Sequence, residues 1–222
     1  MSKRPRTKKK PRPKPASAAD SNTPRRIARL TLQTLEVARG HDGFLRGKPE
    51  PTLLVAAYRT NGSLPASLVG RTLLRARLES DMPCTVELGR HELKYDARFG
   101  ISERLLVLAF AVEENNGDGV AALYAALETP ERLLLYTTNE SVPSPLSLED
   151  WAKRECGAPS SPAVEVLLAG EAPETITGSD QFIAASAFSV LAHARSDEGW
   201  RLPFLARDER NDWTLLARLR ID

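Results

Sequence analysis

The chain has 222 residues, 41% hydrophobic and 27% charged, and a formal net charge of +2. It is long enough for one large globular domain or two small ones. No apolar run approaches the ~20 residues that cross a bilayer, and no apolar segment follows the positive N-terminal flank, so neither a membrane-spanning helix nor a secretion signal is expected.

The small net charge hides a split. Residues 1–26 hold ten basic residues (Lys3, Arg4, Arg6, Lys8, Lys9, Lys10, Arg12, Lys14, Arg25 and Arg26) against Asp20, a net +9. The remaining 21 basic and 28 acidic residues leave the body at −7. Five prolines and almost no large apolar side chain fall within residues 1–24. Such a segment buries too little surface to offset the entropy of ordering its backbone, which predicts a disordered, extended arm. Its cations are the candidate polyanion-binding residues, suited to phosphates of DNA or RNA, to an acidic protein or to anionic lipid. The arm has no aromatic residue for base stacking.

The body begins near Pro24. Residues 27–37 read as a strand in which Leu30 and Leu32 alternate with polar residues, and Leu35 and Val37 resume out of phase. One extra residue near Thr34, a β-bulge, accounts for the slip. The Gly/Pro-rich segment 39–51 is a loop, and Thr52–Arg59 an apolar strand. Arg71–Leu78 alternates Leu74, Ala76 and Leu78 with Arg71, Arg75 and Arg77, a half-solvated strand whose basic stripe meets the body's acids. Shorter strands are expected at 85–88 and 92–95. Arg104–Val112 is a near-continuous apolar run, which predicts a strand buried on both faces. It empties into Glu113-Glu-Asn-Asn-Gly-Asp-Gly119, a loop of carboxylates, amides and glycines. Val120–Leu127 is alanine-rich and predicts a short helix with Leu123 and Leu127 on one side. A capping signature at Ser147–Asp150 predicts a second short helix over 147–155. Further strands are expected at 132–136, 164–168, 182–190, 200–205 and 213–221.

Many short strands between turn signals predict a mainly β, antiparallel sandwich. The residues carry a resemblance as well. Leu35-Glu-Val37 precedes a Gly/Asp loop and Glu50-Pro51-Thr52; Ser179-Asp-Gln-Phe-Ile-Ala184 opens a late strand; Gly199-Trp-Arg-Leu202 leads into the closing strand. In this pattern the body resembles a C-two domain, the synaptotagmin-type sandwich that binds calcium and lipid. The resemblance implies a binding role through loops at one end. Where calcium-binding members carry an Asp-x-Asp pair and a later Asp, this chain has Ala169, Glu171 and Gln181, or Val112-Glu113-Glu114 if the earlier loop corresponds.

Glu114-x-Asn116-x-Asp118-Gly119 matches the first half of a helix-loop-helix calcium loop, but Ala125 stands where a bidentate Glu is required. A looser cation site from Glu113, Glu114 and Asp118, with Asp42 and Glu50 from a neighbouring loop, is the one metal candidate, and calcium the one metal; a solvated acidic turn is the competing reading. His41, His91 and His193 lack zinc-ligand spacing. No nucleophile elbow or phosphate-cradling loop occurs, so no small-molecule substrate is identified. Trp151, Trp200 and Trp213 are expected in the core, and Cys84 and Cys156 as free thiols of a reducing, cytoplasmic compartment.

The expectation is a C-two-like sandwich over residues 27–222, with two short helical insertions around 118–155 and a disordered arm over 1–26. Its function would be that of a non-enzymatic binding or scaffold module, needing no cofactor. The body docks on a protein partner or an anionic membrane, and the arm adds attraction to a polyanion. The alternative is a nucleic-acid-associated accessory protein whose arm contacts phosphates; a hydrolase with a dispersed active site comes third.

Overall fold

A computed structural model describes residues 25–40, 49–61, 66–79, 81–98, 103–129, 134–136, 145–147, 150, 165–167, 180–192, 195–206 and 209–222. Eleven strands and one short helix make up the described elements. The first sheet is antiparallel, in the order β10 (Ser196–Leu205), β11 (Asp212–Ile221), β1 (Arg25–Arg39), β4 (Cys84–Arg98). The second, also antiparallel, runs β3 (Ser67–Arg75), β2 (Pro51–Thr60), β5 (Arg104–Glu113), β9 (Gln181–Leu191), β8 (Glu165–Leu167). A separate hairpin joins β6 (Leu134–Tyr136) to β7 (Pro145–Ser147).

The two sheets face each other across one core. Leu30, Leu32, Leu35 and Val37 of β1 and Trp213, Leu215 and Leu219 of β11 belong to the same cluster as Leu53, Val55, Leu105, Val107 and Phe188 of the second sheet. The other face of the second sheet carries its own cluster, Leu54, Tyr58, Leu106, Leu108, Phe110 and Val112, joined by Val120, Leu123 and Leu127 at the helix α1 (Asp118–Ala126). Strand β5 feeds both clusters, so all ten of its residues are buried. This explains its unbroken apolar run. A strand covered on both sides has no solvent face to alternate with.

The phase slip in β1 is a bulge, as expected. The register shifts between Leu32 and Thr34 toward both neighbours, leaving Gln33 without a direct partner and returning Leu35 to the core face. Opposite it, Gly89 of β4 has φ 71°, a left-handed value that suits a residue without Cβ.

Several boundaries differ from expectation. Arg25 and Arg26 belong to β1, paired with Arg98 and Ala97, and not to the arm; the rest of the arm, Lys3 to Lys14 included, lies outside the described residues. The expected strands at 85–88 and 92–95 are one strand, because the Gly89 bulge bends β4 without ending it. Strand β3 begins at Ser67 and ends at Arg75. Its partner β2 starts at Pro51, so the ladder closes with the Ala76 N–H on the Pro51 carbonyl (2.8 Å). Of the second expected helix, 147–155, Ser147 lies in strand β7 paired with Leu134 and Asp150 is helical; the rest of that span lies outside the described residues. Trp200 and Trp213 are core residues, Trp200 stacking on Phe188 with centroids 4.1 Å apart; Trp151 lies outside the described residues.

Candidate functional site

One end of the sandwich gathers the C-termini of β1, β3, β5 and β10 and the N-termini of β2, β4, β9 and β11, as their antiparallel registers require. At this loop end β5 passes into α1 through Glu114–Gly117. The helix starts badly by its own means. Its N-cap is Gly117, which has φ 82° and no side chain to cap the orphan N–H groups. A Cβ at Gly117 would also sit 2.8 Å from Glu114 Oε1, so a larger residue would strain the backbone and push the Glu114 carboxylate aside.

The missing cap is supplied from β9. Asp180, only 8% exposed, stands immediately before that strand. Its Oδ1 accepts the backbone N–H groups of Asn115 (2.8 Å), Asn116 (2.9 Å) and Gly117 (3.1 Å). Its Oδ2 accepts those of Gly119 (2.9 Å) and Val120 (3.1 Å), the second and third helical residues, which an N-cap side chain ordinarily serves. Burial alone would push this carboxyl up. The N–H groups of Asn116, Asn115, Gly117 and Val120 outweigh it and hold the carboxyl below the usual carboxylate range. The loop that looks acidic in its side chains therefore presents a nest of positive backbone dipoles, and a carboxylate fills it.

Glu114 is held from the other side. Arg75 grips it with two parallel bonds, Nε to Oε2 at 2.6 Å and Nη2 to Oε1 at 2.8 Å, and the Thr52 hydroxyl donates to Oε2 at 2.7 Å. The bonded Arg75 guanidinium is the main reason the Glu114 carboxyl lies below its ordinary value, and the Arg75 pKa is raised in return by the same bond. Beside this pair opens a groove of about 720 Å³ walled by Glu50, Pro51, Thr52, Arg75, Arg77 and Glu114.

The far end of α1 is fixed too. Arg71 donates to the Tyr124 carbonyl and to the Glu128 carboxylate, with its guanidinium 4.0 Å from the Tyr124 ring centroid. The buried Tyr58 hydroxyl donates to the Leu127 carbonyl at 2.8 Å. Burial drives the Tyr58 phenol well above its ordinary value, against the opposing pull of Arg71. A carboxylate at the helix N-terminus and a cation at its C-terminus both complement the macrodipole.

The metal candidates fall as follows. The Glu50 carbonyl accepts the Glu114 N–H at 3.2 Å, so these two residues are neighbours. Glu113 is 2% exposed within β5 and pairs with Gln181. Asp118 is exposed and accepts from the Asn116 amide. Asp42 lies outside the described residues. Among the described residues no three His, Cys, Asp or Glu side chains converge on a metal position. Arg71 and Arg75 of the basic stripe are both paired with acids; Arg75 is solvated as expected, whereas Arg71, 18% exposed, is covered by α1 and packs on Tyr124. Asp180 and its role were missed. The signal available was an Asp just before a strand, together with a Gly-rich helix start lacking its own cap.

No protein-family model matches the chain, and no curated protein matches its sequence. Among solved structures, the C-two-A domain of plant extended synaptotagmin 1 is similar over 88% of this chain and 93% of its own, at 12% identity and a TM-score of 0.35. Human GIVD cytosolic phospholipase A2 is similar over 88% of this chain at 5% identity and a TM-score of 0.26; the chain spans 32% of that protein's length. Both likenesses are weak, and the fold assignment rests on the two sheets themselves.

Proposed function

We propose that the chain is a non-enzymatic binding module whose contact surface is the loop end of the sandwich, with the basic arm adding attraction to a polyanion. The observation that carries the reading is the internal carboxylate of Asp180. It fixes the loop at Glu114–Gly119 in one conformation beside an open groove, which lowers the ordering cost of binding there. The carboxylates of the site are tuned for holding, not for chemistry. Glu114 and Asp180 are both shifted downward, away from the range near neutrality that suits a general acid or base. Calcium takes six to eight oxygens and would have to break the Arg75–Glu114 pair to use Glu114. We therefore read the site as working without a resident metal.

The test is retention of the full chain and of residues 25–222 on anionic vesicles and on nucleic acid, across a salt series, with calcium or with chelator. The reading expects salt-sensitive retention that needs residues 1–24 and ignores chelator. Retention that appears only with calcium, or a shift of melting temperature by calcium, would overturn the metal-free reading. Retention by neither polyanion would remove the arm's role.

A further inference from the structure

The latched loop contains a chemically labile pair. Asn116 and Gly117 stand side by side between β5 and α1, and Asn116 is exposed. In an Asn-Gly pair the glycine nitrogen can attack the asparagine side-chain amide, because no Cβ shields that nitrogen. The structure holds both reacting groups back. The Gly117 N–H is donated to Asp180 Oδ1 at 3.1 Å, beside those of Asn115 and Asn116 on the same oxygen. Attack requires that nitrogen to give up its proton, and a negative nitrogen against a buried carboxylate is strongly disfavoured. The asparagine side chain is pinned as well. Its Oδ1 accepts the Asp118 N–H at 3.2 Å, and its Nδ2 donates to Asp118 Oδ2 at 3.3 Å. While the latch is closed, both groups are committed elsewhere.

We propose that Asn116–Gly117 is a self-modification site, kept unreactive by the Asp180 latch and converted to isoaspartate when the latch opens. The Gly117 nitrogen attacks Cγ of Asn116, the new N–Cγ bond closes a cyclic imide, and the Cγ–Nδ2 bond breaks. Nδ2 leaves as ammonia with the proton that Gly117 gave up. Water then opens the imide on either side. Attack at Cγ gives aspartate in the ordinary chain; attack at the backbone carbonyl of residue 116 gives isoaspartate, with the chain rerouted through Cβ and Cγ. Water is the one co-reactant, and nothing is oxidised or reduced. The isoaspartate form inserts a CH₂ between the N–H groups of residues 116 and 117, which share one Asp180 oxygen in the closed latch. It also sets a new carboxylate in a loop that already holds Asp180 and Asp118. A longer and more negative loop no longer fits the nest, so α1 loses the cap it takes from β9. The change is one-way, and the loop end keeps a record of having opened. The conversion depends on the latch alone, whatever the loop end binds.

The experiment follows residue 116 of the full chain by peptide mapping and mass spectrometry during incubation at neutral pH, with aspartate and isoaspartate separated by chromatography. Asn61–Gly62, the chain's other Asn-Gly pair, is read in the same digest as a control for general unfolding. The samples are folded wild type, wild type unfolded in guanidinium chloride, and folded Asp180→Asn. Asn116 should convert at least about tenfold faster in the unfolded chain, because modification through an open state follows the population of that state. Asp180→Asn should speed Asn116 by a factor on the order of tenfold or more, through the unsatisfied donors it leaves in the nest. Asn61 should keep its wild-type rate in that variant. Wild type enriched in the isoaspartate form should lose amide-exchange protection at Gly119 and Val120, the two helical N–H groups on Asp180 Oδ2. Equal rates at Asn116 in folded and unfolded wild type would overturn the proposal, and this comparison stands even if Asp180→Asn fails to fold. An unchanged Asn116 rate in folded Asp180→Asn, or Asn61 speeding in step with Asn116, would take the protection away from the latch. Full protection at Gly119 and Val120 in the isoaspartate form would overturn the loss of the cap.

Discussion

Asparagine at position 180 would keep the shape of the side chain and remove its charge. Asp180 now accepts three backbone N–H groups on one oxygen and two on the other. The amide of Asp180→Asn retains a single acceptor, and its NH₂ would face at least two of those donors. Two buried N–H groups left unsatisfied cost about 1–3 kcal/mol each, or about 2–6 kcal/mol together. For a chain of this size that corresponds to a fall in melting temperature of roughly 5–20 °C. Asp180→Ala admits water in place of an opposing donor and should cost no more than the asparagine. The assay is urea unfolding followed through the fluorescence of the buried Trp200 and Trp213. The pH dependence gives a second readout. The folded-state pKa of Asp180 is depressed, so its contribution is fully present above the unfolded carboxylate value near pH 4 and is lost as pH falls through the folded value. The gap between wild type and Asp180→Asn should therefore close on acidification. Equal stability at pH 7, or a gap that widens as pH falls, would refute the latch.

Arg75→Ala should let the Glu114 carboxyl return toward its ordinary range, seen by NMR titration. Because Arg75 is 61% exposed, screening limits the loss of stability to about 1 kcal/mol or less. Tyr58→Phe should cost about 1–2 kcal/mol and speed amide exchange in the last turn of α1, since the Leu127 carbonyl loses its buried donor. The Tyr58 phenol, raised above its unfolded value near 10, favours the folded state below that pH and loses this contribution as pH climbs past it. An absorbance titration should accordingly find one tyrosine that ionises only with unfolding.

The sandwich was legible wherever burial leaves a mark on composition. The unbroken apolar run of β5 announced a strand covered on both faces, and the phase change between Leu32 and Leu35 announced the Gln33 bulge. Leu123 and Leu127 marked the inner side of α1. The start of β3 was not legible, because a register shift between Ala57 and Tyr58, opposite Leu68–Gly70, breaks the alternation there. Less of the site could be read. Glu114 drew attention for its charge, yet what organises the loop is a set of backbone N–H groups, which leave no trace in residue type. Their partner Asp180 lies some sixty residues away, and only the antiparallel pairing of β5 with β9 brings the two together. An acidic loop read as a cation site from its side chains is, through its backbone, a holder of an anion.

Amide hydrogen exchange of the full chain with and without phosphatidylserine vesicles tests most directly whether the loop end is the contact surface. Added protection is expected at residues 76–79 and 114–120, with residues 92–94 and 216–222 unchanged. Protection at 92–94 and 216–222 with the loop end unaffected would contradict it.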